Sequence, residues 1–291
     1  HAETARPAPT KVAATTDKFG TRWMLTPSGN LAGSALPIRR GFITYLFVDE
    51  RSHGYSAAPP KEPSAGSKTP RPKPLEAPPE LAGDARFNFQ APDQTDIQWT
   101  HFVRYDSERG GMRFIEVFAN AGTEPHAVRV RCDSDVNLPN SEAFQGATTE
   151  RGEIIGGDNP TLRDETNAVM LHFTPEFSAA LPFFVFGNSR HPWVTNRSLN
   201  GHQLHLEYGG TLEPGKRVIL VHWIGGRGAK ENGRPEKAME RFMSGGRLIN
   251  PGVPVEWRAD VINFSKEAFE PVSTFQTGDG MKLVMLDQLC K

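Results

Sequence analysis

One segment of the chain combines an aromatic ring with planar hydrogen-bonding side chains. Residues 187–202 read GNSRHPWVTNRSLNGH and lie between two predicted strands. Sugar binding favours this composition, because C–H faces stack on an aromatic ring while hydroxyl groups need hydrogen-bond partners. The same composition suits the centre of a protein–protein interface, and in a third interpretation the tryptophan only caps a core. The candidate ligand- or partner-binding residues are Trp193, Arg190, His191, Asn196 and Arg197.

A second polar segment, DSDVNLPNSE, places carboxylate and amide oxygens on alternate residues. This spacing resembles the first half of a calcium-binding loop, with Asp133, Asp135 and Asn137 as the candidate ligands. The glycine and the glutamate that complete such a loop are replaced by Leu138 and Phe144. An ordinary polar turn after a strand is therefore the preferred interpretation, and no metal site is predicted.

The histidines supply no metal or catalytic motif. His202 and His205 are three residues apart in a predicted strand, so their side chains face opposite sides. His172 and His222 lie among apolar residues, which predicts histidines at the edge of a core, each with a hydrogen-bond partner. His1 would suit copper only if it were anchored at a strand, whereas an Ala- and Pro-rich segment follows it. The sequence has no nucleophile elbow and no phosphate-binding glycine loop, so we predict no cofactor and favour a non-catalytic protein.

The chain contains two cysteines, Cys132 at the end of a predicted strand and Cys290 beside the last residue. In an oxidising compartment they can form a disulfide that ties the C-terminus to the sheet. One buried and one terminal thiol are the alternative. An intact-mass measurement without reductant distinguishes the two.

The bulk composition argues against two classes of protein. Of the 291 residues, 33 are Lys or Arg and 34 are Asp or Glu, so no basic surface for nucleic acid is predicted. No apolar run approaches the roughly 20 residues of a membrane-spanning helix. The chain begins at His1 without Met, as a chain does after signal-peptide removal or after experimental trimming. We predict an extracytoplasmic protein, either periplasmic or secreted.

The hydrophobic pattern predicts many short strands. Residues 112–135, MRFIEVFANAGTEPHAVRVRCDSD, contain two apolar runs around Gly122 and Pro125 and predict a β-hairpin. The first run is apolar on both faces, as in the centre of a sheet, and the second alternates. A later pair of strands flanks Pro214 and Gly215, which favour a type II turn. Since strands follow one another without helices between them, we predict a mainly β fold, a large antiparallel β-sandwich.

Three regions flank or interrupt the sandwich domain predicted for residues 17–225. Residues 1–16 are rich in Ala, Thr and Pro and predict an extended tail. Residues 54–83 predict a proline-rich loop inserted in one sheet, without a contribution to the core. Residues 226–291 predict a short helical appendage and a C-terminal tail that pack on the sandwich.

The predicted helix of this appendage begins at Pro235 and ends before Gly245. Its apolar side chains form one stripe, Ala238, Met239, Phe242 and Met243. The following segment VPVEWRADVINF predicts a second short helix.

The order of these signals is similar to that of a known group of proteins. FGTRWMLTPSGNL comes first, RFIEVFANAGTEPHAVRVRCDSDVN follows, and LEPGKRVILVHWI precedes a helix and a closing VINF. This order resembles uncharacterised extracytoplasmic bacterial β-sandwich modules, which are distantly like supersandwich domains of the galactose-mutarotase type. The resemblance covers residues 17–265 and implies a fold but no catalytic residues, and the proline-rich segment departs from it.

Two functions fit these observations. The first is a non-catalytic structural or interaction subunit of a bacterial envelope or extracellular assembly. In that role the N-terminal tail and residues 57–82 would wrap other protein subunits. The second is a carbohydrate-binding or carbohydrate-active β-sandwich module that holds a glycan beside Trp193.

Overall fold

A computed structural model describes residues 13–25, 31, 42–53, 78–89, 96–134, 144–155, 162, 166–173, 181–187, 190–200, 203–227, 239–244, 247–248, 252–269, 275–276 and 282–283. The strands in chain order are β1 (Ala13–Thr16), β2 (Arg22–Leu25), β3 (Phe42–Val48), β4 (Arg51–His53), β5 (Ala85–Phe89), β6 (Ile97–Asp106), β7 (Gly111–Asn120), β8 (His126–Ser134), β9 (Phe144–Thr149), β10 (Ile154–Ile155), β11 (Ala168–Phe173), β12 (Leu181–Val185), β13 (Val194–Asn200), β14 (Gln203–Leu212), β15 (Arg217–Arg227), β16 (Met243–Ser244), β17 (Arg247–Leu248), β18 (Phe275–Gln276) and β19 (Lys282–Leu283). Short 3-10 helices span Pro79–Leu81, Val255–Asp260 and Lys266–Phe269.

Two antiparallel sheets form the body of the molecule. The larger has eight strands in the order β10-β9-β11-β12-β15-β7-β6-β5, and the smaller has five in the order β13-β14-β8-β3-β4. Every pairing within these two sheets is antiparallel. The predicted mainly β fold with large antiparallel sheets is confirmed.

A continuous apolar layer lies between the two sheets. The five-stranded sheet contributes side chains such as Leu46, Val130 and Leu206, and the larger sheet contributes Phe118 and Phe184. All five are at most 1% exposed. Because alternate residues of a strand point to opposite faces, the intervening residues of the five-stranded sheet face outward.

The predicted hairpin at 112–135 is wrong, although both of its strands form. β7 pairs with β6 and β15, whereas β8 pairs with β3 and β14, so residues 121–125 carry the chain from one sheet to the other. Asn120 fixes this crossing, since its Nδ2 donates to the carbonyls of Glu124 at 2.7 Å and Leu212 at 2.8 Å. β7 is buried on both faces and β8 only on one, so each strand occupies a sheet that covers its apolar surface.

The turn at Pro214 also joins the two sheets rather than two paired strands. Lys216 N–H donates to the Glu213 carbonyl at 3.0 Å, and Gly215 has a φ of 69°. This is the geometry of a type II turn, which needs a positive φ at its third residue, and the predicted turn is confirmed. The strands it connects, β14 and β15, belong to different sheets.

The C-terminal segment covers the second face of the eight-stranded sheet. Asn263 makes the central contact, because its Oδ1 accepts from Val221 N–H at 3.0 Å and its Nδ2 donates to the Phe186 carbonyl at 2.9 Å. A Cβ at Gly187 would lie 2.0 Å from the Asn263 carbonyl oxygen, so only glycine fits there. The apolar residues of this layer that follow β15 are Met239, Phe242, Met243, Val253, Trp257, Val261, Phe264 and Ala268.

The end of the proline-rich segment enters this second layer, which corrects the expectation that the segment adds nothing to the core. Leu81 is 1% exposed and packs in the cluster under the eight-stranded sheet. Close by, buried Asp84 forms an ion pair with Arg113, whose Nη1 donates to the Gly252 carbonyl at 2.9 Å. The segment also connects β4 of one sheet to β5 of the other, rather than being inserted in one sheet.

Several predicted features lie outside the described residues. They are the tail at 1–12, the proline-rich residues 54–77, residues 235–238 of the predicted helix and the C-terminus at 284–291. The predicted end of that helix is wrong, because Met243 and Ser244 form strand β16, which pairs with β17. Residues 13–16 of the predicted tail form β1, which pairs with β2. In the part of the chain that the structure describes, none of the helices has the length and apolar character needed to span a membrane.

Candidate functional site

The outward face of the five-stranded sheet carries ordered rows of polar side chains. Across β3, β8, β14 and β13, one row is Tyr45, Arg131, Glu207 and Asn196, and the next is Ile43, Asp133, His205 and Ser198. Residues directly opposite one another in antiparallel strands have neighbouring side chains. The sheet therefore holds eight side chains in a two-row array.

Ion pairs connect the middle columns of this array. His205 Nδ1 lies 2.7 Å from Asp133 Oδ1, and its Nε2 lies 3.8 Å from Glu207 Oε2. Arg131 Nε is 3.1 Å from Asp133 Oδ2, with an N–H direction that is not aligned for a hydrogen bond. Arg129 Nη1 approaches Glu207 Oε2 to 3.7 Å. Opposite charges thus alternate along the face, which keeps it polar without a strong net charge.

Aromatic rings border the charged groups. The Arg131 guanidinium lies 4.5 Å from the centre of the Tyr45 ring, and the Arg129 guanidinium lies 4.0 Å from that of Phe47. Tyr45 is 38% exposed. Planar guanidinium groups on aromatic faces are held by cation–π attraction, so each arginine keeps a defined position on this face.

A groove of about 580 Å³ runs over this array. We call it the outer groove. Its lining is Ile43, Tyr45, Arg131, Asp133, Ser134, Asn196, Ser198, Asn200, Gln203, Leu204 and His205. Amide, hydroxyl, imidazole, guanidinium and carboxylate groups provide both donors and acceptors on its floor.

The structure separates the five residues predicted from the tryptophan segment. Asn196 is exposed and lines the outer groove. Arg197 points the other way and is 7% exposed, with Nη1 donating to the Gly187 carbonyl at 3.2 Å. Arg190 and His191 are exposed, precede the first residue of β13 and do not line the groove. The predicted set therefore does not form one surface.

Trp193 packs against the edge of the apolar layer between the sheets. A Cβ on Gly210 would lie 2.4 Å from Trp193 Nε1, so the indole sits directly on that glycine. Gly210 pairs with Val128, whose side chain is buried in the interior. The contact favours the interpretation in which Trp193 caps the sandwich core.

Of the three calcium candidates, only Asp133 is described, and Asp135 and Asn137 lie outside the described residues. Both carboxylate oxygens of Asp133 already contact cationic or hydrogen-bonding side chains, His205 and Arg131. This arrangement agrees with an ordinary polar role for the residue.

Sequence reasoning missed Tyr45, Arg131 and His205 as members of one site. The alternation within each strand was visible, and it placed Arg131 and Asp133 on the same face of β8. The missing information was the register between β3, β8 and β14, which are far apart in the chain. Cross-strand register depends on tertiary pairing, so no local pattern brings these columns together.

A second polar cluster lies inside the sandwich, between the two sheets. Thr44 Oγ1 donates to Glu116 Oε1 at 2.5 Å, and Cys132 Sγ lies 3.9 Å from Glu116 Oε2. The Tyr208 hydroxyl lies 3.4 Å from His222 Nε2. We call Thr44, Glu116, Cys132, Tyr208, His222 and the adjacent His101 the inner cluster. His222 has a hydrogen-bond partner, as the sequence predicted, although it is fully buried rather than at the edge of the core.

Burial controls the ionisation of the inner cluster. It raises the pKa of Glu116 to about 7, against the opposing effect of the hydrogen bonds with Thr44 and Cys132. It lowers the pKa of both His101 and His222 to about 3. Desolvation also raises the pKa of the Cys132 thiol. Each shift favours the uncharged form, as expected where water is excluded.

The structure describes only one of the two cysteines of the predicted Cys132–Cys290 disulfide. Cys132 is a buried free thiol on the inner face of β8. Cys290 lies outside the described residues, so their pairing stays a prediction.

Comparison by sequence finds neither a matching protein-family model nor a matching curated protein. Among solved structures, the chain is similar to a galactose mutarotase-like protein from Lactobacillus casei, with 9% identity and a TM-score of 0.37 over 74% of this chain and 100% of that one. It is also similar to a polysaccharide lyase, with 14% identity and a TM-score of 0.37 over 81% of this chain and 35% of that one. A GH36 α-galactosidase from Geobacillus stearothermophilus shows 9% identity and a TM-score of 0.31 over 78% of this chain and 35% of that one.

Several matched chains are much longer than the part that this chain covers. The share covered is 28% for a putative kojibiose phosphorylase, 51% for a putative aldose 1-epimerase from Klebsiella pneumoniae and 35% for the polysaccharide lyase. This chain thus corresponds to part of those proteins. The similar structures include a galactose mutarotase-like protein, the fold type named from the sequence, but these TM-scores carry no argument about activity.

Proposed function

We propose that this protein is an extracytoplasmic carbohydrate-binding β-sandwich module, and that the glycan lies in the outer groove without being cleaved. One observation carries the proposal: an open groove on a sheet face whose floor is planar hydrogen-bonding side chains beside a partly exposed tyrosine. Sugar rings need both features, a flat ring for their C–H faces and paired donors and acceptors for their hydroxyls.

The charges in the outer groove and directly beside it favour a neutral or weakly charged glycan. Asp133 and Glu207 flank His205, and Arg131 and Arg129 pair with the same carboxylates. A strongly anionic polymer would have to displace these pairs, whereas a sugar hydroxyl can donate to a carboxylate and accept from a guanidinium at once.

Binding to a glycan array tests the proposal, with wild-type protein compared with Tyr45→Ala. The matched control is Ile154→Ala, because Ile154 is an exposed apolar residue on β10 of the other sheet, 86% exposed. We expect specific binding by the wild type and the control and loss of binding in Tyr45→Ala. No specific binding by the wild type, or binding that survives in Tyr45→Ala, would contradict the proposal.

A second candidate is the structural or interaction subunit predicted from the sequence. The observation in its favour is that β5 and β13 are outer strands of their sheets in the described part of the chain. An outer strand can accept a strand from another chain through its backbone groups. Light scattering and limited proteolysis of the native preparation test this role: a monomer whose tail and proline-rich segment are cut readily would refute it.

A further inference from the structure

Three metal-binding residue types meet inside the sandwich. A carboxylate oxygen of Glu116, Sγ of Cys132 and a ring nitrogen of His222 all lie within 4.8 Å of one another. These residues stand on β7, β8 and β15, so both sheets contribute. Each is at most 2% exposed, which separates them fully from the outer groove.

Apolar packing does not account for these residue types at this place. Carboxylate, thiol and imidazole groups are costly to bury without partners, and neighbouring positions of the same layer hold Phe118, Leu206 and Leu220. In addition, the buried Nε2 of His101 has no hydrogen-bond partner among the described residues. His101 Nδ1 lies 4.0 Å from Glu116 Oε1, so this histidine adjoins the same group.

The donor set matches one class of ligand. Thiolate, imidazole and carboxylate together are ligands of zinc and related divalent transition metals. One thiolate and one carboxylate carry two negative charges, so a divalent cation makes the buried group neutral. Bonds of about 2.0–2.3 Å would place ligand atoms about 3.3–3.8 Å apart. The widest separation must therefore close by up to about 1.5 Å, a distance within reach of side-chain rotation.

Neighbouring hydroxyl groups are placed to orient these donors. Thr44 Oγ1 contacts Glu116 Oε1 at 2.5 Å and lies 3.7 Å from Cys132 Sγ. The Tyr208 hydroxyl contacts His222 at 3.4 Å. Such partners commonly hold metal ligands in position.

We propose that Glu116, Cys132 and His222 bind one divalent transition metal of the zinc type, and that this ion joins the two sheets of the sandwich. Because all three side chains are buried between the sheets, we assign the ion a structural role. The proposal is independent of glycan binding in the outer groove.

Titration of chelator-treated full-length protein with Zn²⁺ alone and with Co²⁺ alone tests the site. We expect about one equivalent of either metal to bind, Tm to rise with Zn²⁺, and the Co²⁺ complex to show sulfur-to-metal charge-transfer absorption. Cys132→Ser should remove that absorption and weaken binding at least tenfold.

The matched control is His205→Ala, which removes a histidine that lies between two carboxylates on the outer face. It should bind metal as the wild type does. Binding that is absent in the wild type, lost in His205→Ala or unchanged in Cys132→Ser would overturn the proposal. If Cys132→Ser does not fold, the Co²⁺ spectrum of Cys290→Ser decides, because Cys132 is then the remaining thiol of the chain and a complex without thiolate absorption excludes it as a ligand.

Discussion

The two faces of the five-stranded sheet use similar side chains in opposite ways. On the outer face, Asp133 and His205 pair with each other and remain 27% and 30% exposed. On the inner face, Glu116 approaches from the other sheet and meets Cys132 and Thr44 where water is excluded. Solvent reaches the first pair, whereas in the second environment burial favours the neutral forms or a compensating cation.

This difference separates binding from stability. The outer groove can change its residues with little effect on folding, because exposed ion pairs contribute about 0–1 kcal/mol. The inner cluster lies within the packed layer, where each lost contact is expensive. Substitutions in the outer groove should therefore weaken glycan binding with little change in the free energy of unfolding. Substitutions in the inner cluster should lower the free energy of unfolding with little change in glycan affinity.

The largest expected effect comes from a pair of tyrosines, one on each face. Tyr208→Ala should lower the free energy of unfolding by about 3–5 kcal/mol, because it empties a fully buried aromatic site. Tyr45→Ala should cost under about 1 kcal/mol, because Tyr45 is partly exposed and mainly contacts an arginine. Urea unfolding monitored by fluorescence and circular dichroism measures both. Equal losses would mean that the two faces are not packed as described.

The buried ion pair between Arg113 and Asp84 provides the next comparison. Arg113→Ala should cost about 3 kcal/mol or more, since it leaves a buried carboxylate without its partner. Arg131→Ala, on the outer face, should cost about 1 kcal/mol or less. Chemical denaturation tests this, and a small loss for Arg113→Ala would show that Asp84 is solvated after all.

The pH dependence of stability reports on the inner cluster in metal-free protein. Glu116 releases its proton near its usual 4.5 when unfolded but near 7 when folded. The folded state thus holds more protons between these values, and this residue's contribution to stability falls as pH rises from about 4.5 to about 7. The fall is on the order of 3 kcal/mol.

Glu116→Gln isolates this contribution, because His101 and His222 act in the opposite sense between about 3 and 6.5. As pH rises from about 4.5 to about 7, the free energy of unfolding of the variant should increase relative to that of the wild type. Denaturation midpoints at several pH values, with chelator present, give the difference. A constant difference from pH 4.5 to pH 7.5 would contradict the raised pKa.

The smallest stability effect is expected at the exposed pair of Arg129 and Glu207. Glu207→Gln should change the free energy of unfolding by about 0.2–1 kcal/mol, less at high salt. Thermal unfolding at low and high salt measures this. A loss above about 2 kcal/mol would place Glu207 in a buried network instead.

The sequence predicted local structure better than pairing. The alternation of Val128, Val130 and Cys132 identified the buried face of β8, and Pro214 with Gly215 identified a type II turn. The turn at 121–125 failed as a hairpin because a turn signal does not say which sheet the next strand joins. Both faces of β7 are apolar and must be packed against other parts of the chain, so its place in a sheet depends on tertiary contacts.

The candidate sites were harder to predict for the same reason. Trp193 attracted attention by residue type, yet its ring covers Gly210 at the core edge. Glu116 stood unnoticed in an apolar run, although a charged residue on a doubly buried strand is the feature that predicts an inner polar cluster. Glu116, Cys132 and His222 meet only through strand pairing and sheet packing, and Glu116 and His222 are over a hundred residues apart in the chain.

Two consecutive residues allow the most direct test of the central claim, that the outer groove binds the ligand. Asp133 faces the groove, and Cys132, its neighbour in β8, faces the interior. In calorimetric titration with a glycan selected on the array, the account predicts at least tenfold weaker binding for Asp133→Asn, a loss of about 1.4 kcal/mol. It predicts unchanged affinity for folded Cys132→Ser. Equal affinity in both variants, or a greater loss in Cys132→Ser, would contradict it.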